Sequence, residues 1–286
     1  MFYINALLFF TIANLVPISK FYETFYIYLK LDDLQNSNVT CKELLPYFNR
    51  FPFDIENHCT AALLIQYFPM QFYVFQIACY DLQFTSLCLY IRAHFVNIRG
   101  AFRTIRARCL HNMRLPSNYQ IFSDSENPLL SNMMEREMKK ITIHLQMIID
   151  VCKDMEDIFC FGTLAQSLVT LFAIISCFYI MSYEPLFSPN FIAQLDYCGG
   201  VLIQLTFCCV YGNEITLNAQ YVMIGIYESD WFAANTSFKK SMIMNMRRLQ
   251  KPIVLTIGKF YPLTLTALIA VIRCGFSYFT VLKQTT

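Results

Sequence analysis

Apolar runs long enough to cross a bilayer constrain this chain more than any other feature. A bilayer core needs about 20 apolar residues in a helix. Such runs lie at about residues 2–28, 59–91, 159–183, 191–210 and 262–282. Only 15% of the residues are charged, compared with about 25% in soluble domains. The sequence therefore predicts an all-α polytopic membrane protein with five transmembrane helices.

Basic residues in the connections predict how the helices are oriented, because Lys and Arg concentrate on the cytoplasmic side. The connection 92–158 carries ten of them, whereas 184–190 carries none. The connection before the last span carries Lys239, Lys240, Arg247, Arg248 and Lys251. We therefore expect a cytoplasmic amino end and an external carboxy terminus. The Asn38 sequon then lies outside, where it can be glycosylated, and the Asn235 sequon lies inside and should stay unmodified.

The cytoplasmic connections carry helical patterns of their own. Between the arginines of 92–108, apolar residues recur at helical spacing at Phe95, Ile98, Phe102 and Ile105. In 133–157 the same spacing places one apolar set on a single side: Ile141, Leu145, Ile148, Ile149 and Cys152. These faces lie outside the bilayer, so they should pack against one another in a cytoplasmic helical bundle.

Residue types that usually carry catalysis or bind metals form no recognisable cluster. The four histidines are His58, His94, His111 and His144. They lie in different segments, so surface or packing roles are expected. The twelve cysteines lack metal-ligand spacing, and those in apolar runs should act as small hydrophobic residues. We predict neither an enzyme nor a bound metal or cofactor; a disulfide between Cys41 and Cys59 is left open.

Polar residues inside the spans are costly in lipid and therefore informative. Asp81 should be paired, because an ionised carboxylate does not persist alone there, and we interpret it as functional or related to gating. Gln66, Gln166 and Gln204 can line a wet cavity or bond a neighbouring helix, and the sequence leaves both open. The Gly199-Gly200 pair predicts close helix packing or a bend.

Aromatic residues cluster in the second span and at the start of the fourth. They include Tyr67, Phe68, Phe72, Tyr73, Phe75, Phe191 and Tyr197. Such a set suits an apolar pocket for small volatile ligands or an aromatic belt at the membrane surface. Composition alone favours the belt.

The carboxy-terminal quarter carries the most specific motifs. In chain order they are Tyr211-Gly212-Asn213-Glu214, Tyr227-x-Ser229-x-Trp231, Gln250-Lys251-Pro252 and Ser277-Tyr278-Phe279-Thr280. This series resembles the carboxy-terminal region of insect odorant receptors. The five spans are then similar to helices three to seven of that fold. The resemblance also implies an amino-terminally truncated chain, without the tail and the first two helices of the family.

The resemblance implies an odorant-binding subunit of a ligand-gated, non-selective cation channel, assembled as a hetero-tetramer with an obligate co-receptor. Residues 1–218 would form the transmembrane ligand-binding region, including the cytoplasmic loop 92–158. Residues 219–261 would form cytoplasmic anchor helices that hold the subunits together. Residues 262–286 would form the pore-lining helix and the external carboxy terminus.

The resemblance also implies roles for single residues. Val281 falls at the hydrophobic gate of the family and Gln284 just outside it, while Tyr227 and Trp231 fall in the anchor. The ligand pocket would include Tyr67, Met70, Tyr73, Tyr197 and Val201.

The implied location is the plasma membrane of olfactory sensory neurons. The expected partners are the co-receptor, a volatile organic ligand and lipid, with no nucleic acid. Two alternatives stay open. A gustatory receptor-like channel usually carries a different Thr- and Tyr-rich motif in its last helix. A secondary transporter predicts inverted repeats, and this sequence shows no internal symmetry.

Overall fold

A computed structural model describes residues 50–55, 57–116, 119, 127–186, 188–232 and 234–285. These residues form six α-helices and one short β-hairpin. The elements, in chain order, are α1 (Cys59–Arg103), α2 (Ile105–Asn112), α3 (Pro128–Met181), α4 (Pro189–Tyr227), α5 (Thr236–Gln250), β1 (Thr256–Ile257), β2 (Tyr261–Pro262) and α6 (Leu265–Thr285).

Four of these helices, α1, α3, α4 and α6, are long and apolar enough to cross a membrane. The predicted all-α polytopic fold is therefore confirmed. The expected first span, 2–28, lies outside the described residues. The second to fourth expected spans correspond to parts of the longer helices α1, α3 and α4, in that order. Helix α3 has 54 residues. At about 1.5 Å per residue it measures about 80 Å, so it extends far beyond a bilayer core of about 30 Å.

Of the two expected domain boundaries, 261/262 lies in the hairpin between α5 and α6, and the other lies inside a helix. The boundary at 218/219 lies inside α4, which continues to Tyr227. By compactness the chain instead forms two units. One comprises Met1–Gln83, Ala173–Gln204 and Phe279–Thr286, and the other Phe84–Phe172 and Leu205–Tyr278. The three-part division into ligand-binding region, anchor and pore helix stays a prediction.

The larger unit, Phe84–Phe172 with Leu205–Tyr278, has the helical core that the periodicity predicts. Phe95, Ile98, Phe102 and Ile105 of α1 and α2 are at most 1% exposed. The predicted apolar set on α3, from Ile141 to Cys152, is at most 7% exposed. At about 25 cal/mol per Å² of apolar surface, burying these two faces is a major stabilising contribution to the unit.

Helix α5 lies against α3 in the same unit. Its first turn is capped by Asn235, whose side-chain oxygen accepts a hydrogen bond from the Phe238 N–H at 2.7 Å. Its buried residues follow a helical spacing: Phe238, Met242, Asn245 and Leu249. Within this face Asn245 donates to the Thr142 hydroxyl of α3 at 2.7 Å. This bond therefore contributes to fixing the register of a largely apolar face.

A β-hairpin joins α5 to α6, and the sequence did not predict it. Gly258 and Lys259 both have positive φ, 59° and 63°, and the Phe260 N–H donates to the Ile257 carbonyl at 3.1 Å. Two consecutive residues with positive φ are typical of the type I′ turns that close tight hairpins. The hairpin is bound to α3, because the Gly258 N–H donates to the Cys160 carbonyl at 2.9 Å.

Candidate functional site

A row of ion pairs joins the later part of α1 and the beginning of α2 to α4 and the residues after it. Arg92 lies 3.0 Å from Glu214, Arg103 lies 3.4 Å from Glu228 and Arg106 lies 3.8 Å from Asp230. These side chains are partly or largely exposed, so each pair contributes little to stability. The pairs follow the same chain order along both segments, and this favours one register.

Two glycines of α4 allow close packing in this unit. A Cβ at Gly212 would lie 3.0 Å from the Leu263 carbonyl oxygen, and one at Gly225 would lie 2.9 Å from the Arg99 carbonyl oxygen. The sequence predicts close packing at Gly199-Gly200 instead, but a Cβ at either position meets nothing within 4 Å. The close approach therefore lies further along α4, where the sequence shows isolated glycines only.

The Tyr-Gly-Asn-Glu motif at 211–214 lies within α4 and has a structural explanation. Gly212 packs on Leu263, just before α6 begins, and Glu214 binds Arg92 of α1. Glu214 also accepts a hydrogen bond from Asn218 at 3.2 Å. The motif thus sets how α1 and the beginning of α6 lie against α4.

The second motif begins at Tyr227, the last residue of α4, and continues into the turn that follows. Ser229 is buried, and its hydroxyl donates to the Ile226 carbonyl at 2.6 Å. Trp231 stacks on Phe232 with ring centroids 4.3 Å apart, and Tyr227 is 63% exposed. Of the two predicted anchor residues, Tyr227 is exposed and Trp231 is half-buried, and their role stays a prediction.

The predicted ligand residues all fall on α1 and α4, in the unit that contains Met1–Gln83 and Ala173–Gln204. The side chains of Tyr67 and Met70 lie outside the described part. Tyr73 is 60% and Tyr197 48% exposed, and Val201 is half-buried. This placement suits an aromatic belt as well as a wall of a pocket, so the ligand assignment stays a prediction.

Asp81 has the polar partner that burial in an apolar helix requires. Its carboxylate is 5% exposed and accepts a hydrogen bond from Gln204 of α4. Both residues belong to the unit that holds the predicted ligand residues. For Gln204, the structure favours a bond to a neighbouring helix over a place in a wet cavity.

The last helix, α6, is the most exposed of the candidate spans. Only 11% of the residues in its most apolar stretch are buried. Val281 is 56% exposed, and Gln284 is also exposed. Phe279 lies beside Phe178 of α3, with ring centroids 5.8 Å apart. A helix that is apolar on its open faces needs lipid or another subunit around it.

His94 and His144 form a pair that the sequence did not predict. The His144 Nε2 atom lies 3.2 Å from the His94 Nδ1 atom, although the residues are 50 positions apart. Each histidine thus has a packing role of the kind expected from the sequence, although its partner could not be predicted. The described residues contain no group of three or more His, Cys, Asp or Glu arranged to hold a metal ion.

Lys259 and Cys109, which lie outside the spans, have shifted pKa values. The hydrogen bond and charge of Asp157, 2.8 Å away, raise the pKa of Lys259 above its ordinary value of 10.5. The stabilising contribution of this pair is thus complete at neutral pH and is lost as the pH rises through the raised pKa. Burial raises the pKa of the Cys109 thiol, with the nearby Glu137 carboxylate adding to the effect. Cys109 is therefore a neutral thiol at pH 7 and a poor nucleophile.

Some predicted features lie outside the described residues. These include Asn38 and Cys41, while the side chain of Cys59 is not described either. The second sequon lies within the described residues. The side-chain amide of Asn235 is engaged in a hydrogen bond, because its nitrogen donates to Glu135 of α3 at 3.2 Å. Asn235 is thus a helix cap and an interhelical contact.

Comparison with known proteins decides the family. The family model described as 7tm Odorant receptor matches residues 1–276. The chain belongs to the insect odorant receptor family. This receptor family is not a family of enzymes, and its members are multi-pass membrane proteins.

Individual odorant receptors are similar at lower levels of identity. Odorant receptor 42a of Drosophila melanogaster is 25% identical over 84% of this chain and 55% of its own length. Odorant receptor 94a of the same species is 27% identical over 32% of this chain and 24% of its own length. The chain thus spans about half, or less, of the length of the curated relatives it matches.

The fold is similar to that of a solved odorant receptor. The olfactory receptor OR5 from Machilis hrabei in complex with eugenol superposes with a TM-score of 0.70 at 13% identity. The match covers 100% of this chain and 68% of the receptor chain. The same receptor without a named ligand gives a TM-score of 0.69. At this identity the likeness concerns the fold.

Proposed function

We propose that this chain provides the odorant-binding subunit of a heteromeric, ligand-gated, non-selective cation channel, assembled with an odorant co-receptor. The proposal is supported by membership of the odorant receptor family and by one structural observation, the exposure of α6. Odorant binding would stabilise an open arrangement of the last helices, which is a shift of population and involves no chemical reaction.

Helix α6 is the proposed pore helix. Its exposed apolar residues lie on two opposite sides of the helix: Leu265, Ile269, Ile272 and Phe276 on one side, and Tyr278, Val281 and Leu282 on the other. A helix in contact with lipid on one side and with neighbouring subunits on the other has this pattern. Exposed Val281 side chains from several subunits could then form a ring that closes by dewetting, with Gln284 lining the mouth.

The proposed ligand is a small, volatile, largely apolar molecule. It would bind beside Tyr73, Tyr197 and Val201, with Tyr67 and Met70 on the same stretch of α1. The OR5 receptor, which has a similar fold, was solved in complex with eugenol, a molecule of that class. The buried Asp81–Gln204 pair lies in the same unit and would hold α1 against α4 near this region.

The proposed subunit anchor is the end of α4 and the residues that follow it. Tyr227 and the stacked Trp231–Phe232 pair present aromatic surface there, and Phe232 is 75% exposed. Aromatic residues are enriched at the energetic centres of protein interfaces. The co-receptor and further subunits of a tetramer are the proposed partners of this surface.

The proposed location is the plasma membrane of olfactory sensory neurons, with the amino end inside and the carboxy terminus outside. A tag placed after residue 286 should therefore bind its antibody on intact cells. Asn38→Gln should remove a glycan that a glycosidase releases, whereas Asn235→Gln should leave the glycosylated mass unchanged. A tag that is reachable only after permeabilisation would reverse the orientation.

The function is tested by recording odorant-evoked currents in cells that express the chain with a co-receptor. Two forms are compared: the chain by itself, and a chimera that adds the regions of odorant receptor 42a left uncovered by the match. Odorant-evoked cation current in either form, absent with the co-receptor alone, supports the proposal. Surface expression of both forms without current from a broad odorant panel would contradict it.

A further inference from the structure

The histidine pair His94–His144 joins two long helices. Both side chains are half-buried, their rings stand at 83° to each other, and both residues belong to the same compact unit. His94 lies within α1 and His144 within α3, each far from the ends of its helix. The two imidazoles are thus held together by rigid helical segments.

We propose that His94 and His144 together bind a divalent transition-metal ion of the Zn²⁺ class and thereby link α1 to α3. Zn²⁺ binds imidazole nitrogens at about 2.0–2.1 Å in tetrahedral geometry. Two such nitrogens on one ion are about 3.3 Å apart. The observed separation of 3.2 Å between His144 Nε2 and His94 Nδ1 is close to this value, so binding requires rotation of the rings rather than movement of the helices.

The surroundings of the pair are compatible with a bound cation. Tyr90 packs edge-on against the His94 ring, with centroids 4.4 Å apart, and so limits its rotation. The nearest basic residues along each helix already have acidic partners. Arg92 pairs with Glu214 at 3.0 Å, and Lys140 pairs with Glu137 at 2.7 Å.

Two imidazole ligands leave further positions of the ion for water or an added ligand. The site should therefore exchange its metal readily, unlike the closed four-ligand sites that fold small domains. When occupied, it would hold α1 against α3 and add stability that grows with the logarithm of the zinc concentration above the dissociation constant. This inference depends only on the packing of α1 and α3 and is independent of the proposed channel function.

The first experiment titrates ZnCl₂ into the purified full chain in lipid nanodiscs and follows the thermal unfolding midpoint by circular dichroism. We expect a rise that depends on zinc concentration in the unaltered chain and in His111→Gln, whose side chain is exposed on α2. The rise should be lost in His94→Gln and in His144→Gln. Glutamine keeps a hydrogen-bonding group but is a poor metal ligand.

The twelve cysteines are the main competing ligands. Binding by thiols or an adventitious ion only would give the same zinc response in all four proteins, and that result would overturn the proposal. So would the lack of any zinc-dependent rise of the unfolding midpoint in the unaltered chain.

The second experiment needs no substitution and therefore does not depend on how the variants fold. The unaltered chain is modified with diethyl pyrocarbonate with and without ZnCl₂, and each histidine is quantified by mass spectrometry. Zinc should protect His94 and His144 in parallel and leave His111 unprotected. If ZnCl₂ changed the extent of modification at neither His94 nor His144, a shared ion would be contradicted.

Discussion

The backbone of Arg99 in α1 lies directly against Gly225 in α4: a Cβ at residue 225 would lie 2.9 Å from the Arg99 carbonyl oxygen and 3.3 Å from its Cα atom. Real Cβ atoms rarely approach backbone atoms so closely. The two helices can therefore pack at this distance only because residue 225 has no side chain. The same helices carry the Arg103–Glu228 ion pair nearby.

Gly225→Ala should therefore destabilise the chain by about 1–3 kcal/mol, because overpacking forces the backbones apart. The matched control is Gly100→Ala, one position from Arg99, where a Cβ meets nothing within 4 Å. There the better helix propensity of alanine should raise stability by up to about 1 kcal/mol. The stability changes of both variants are measured by unfolding in nanodiscs, with circular dichroism as the readout. Equal effects of the two substitutions would contradict the close packing.

Asn245→Ala should destabilise the contact between α5 and α3. Asn245 is 6% exposed and donates to the Thr142 hydroxyl at 2.7 Å, so its loss should cost about 1–3 kcal/mol. Lys240→Ala, on the exposed side of the same helix, is the control and should change little. A double-mutant cycle with Thr142→Val isolates the bond, and a coupling energy of zero would show that the bond does not stabilise the interface.

Gln204→Leu should weaken the unit that holds the predicted ligand residues. The substitution removes a hydrogen-bond donor from the buried Asp81 carboxylate, which should cost about 1–3 kcal/mol or more because the acceptor is charged. Gln76→Leu, on an exposed position of α1, serves as the control. The thermal unfolding midpoints of the two variants are compared. Equal midpoints would indicate that the hydrogen bond from Gln204 to Asp81 does not stabilise the unit.

The sequence predicted the regular parts of this fold well, and for a clear physical reason. Long apolar runs can only be buried or placed in lipid, so the spans and the buried faces around Phe95 and Leu145 follow from spacing. The ends of the helices were harder to predict, because helices such as α3 continue far beyond the bilayer. Where apolar character fades, helical geometry persists through packing against other helices.

Features formed by distant residues could not be predicted from local pattern. The His94–His144 contact joins positions 50 apart, and only the packing of α1 on α3 brings them together. The hairpin has strands of two residues, too short for an alternating pattern, and its turn places Lys259 at positive φ where glycine or asparagine would be the usual indication. The cap at Asn235 has a sequence signal, but the same residue also begins a glycosylation sequon.

The candidate site was predicted more by resemblance than by physics. The motif at 211–214 has a physical explanation in the structure, since Gly212 packs on Leu263 and Glu214 binds Arg92. The pore and ligand residues have no such explanation within a single chain. Val281, Tyr73 and Tyr197 are exposed, and their proposed roles depend on lipid, ligand or further subunits.

We propose that α6 borders the ion pathway, and chemical modification of a cysteine at residue 281 tests this proposal. Val281→Cys is expressed as the odorant-responsive form with the co-receptor, and a membrane-impermeant methanethiosulfonate reagent is applied outside during odorant-evoked current. The unaltered chain, which carries exposed Cys274 on the same helix, gives the background. If α6 borders the pathway, the reagent should reduce the current or change the cation selectivity of Val281→Cys more than it does in the unaltered chain. Full labelling of the introduced cysteine with unchanged current and selectivity would contradict it.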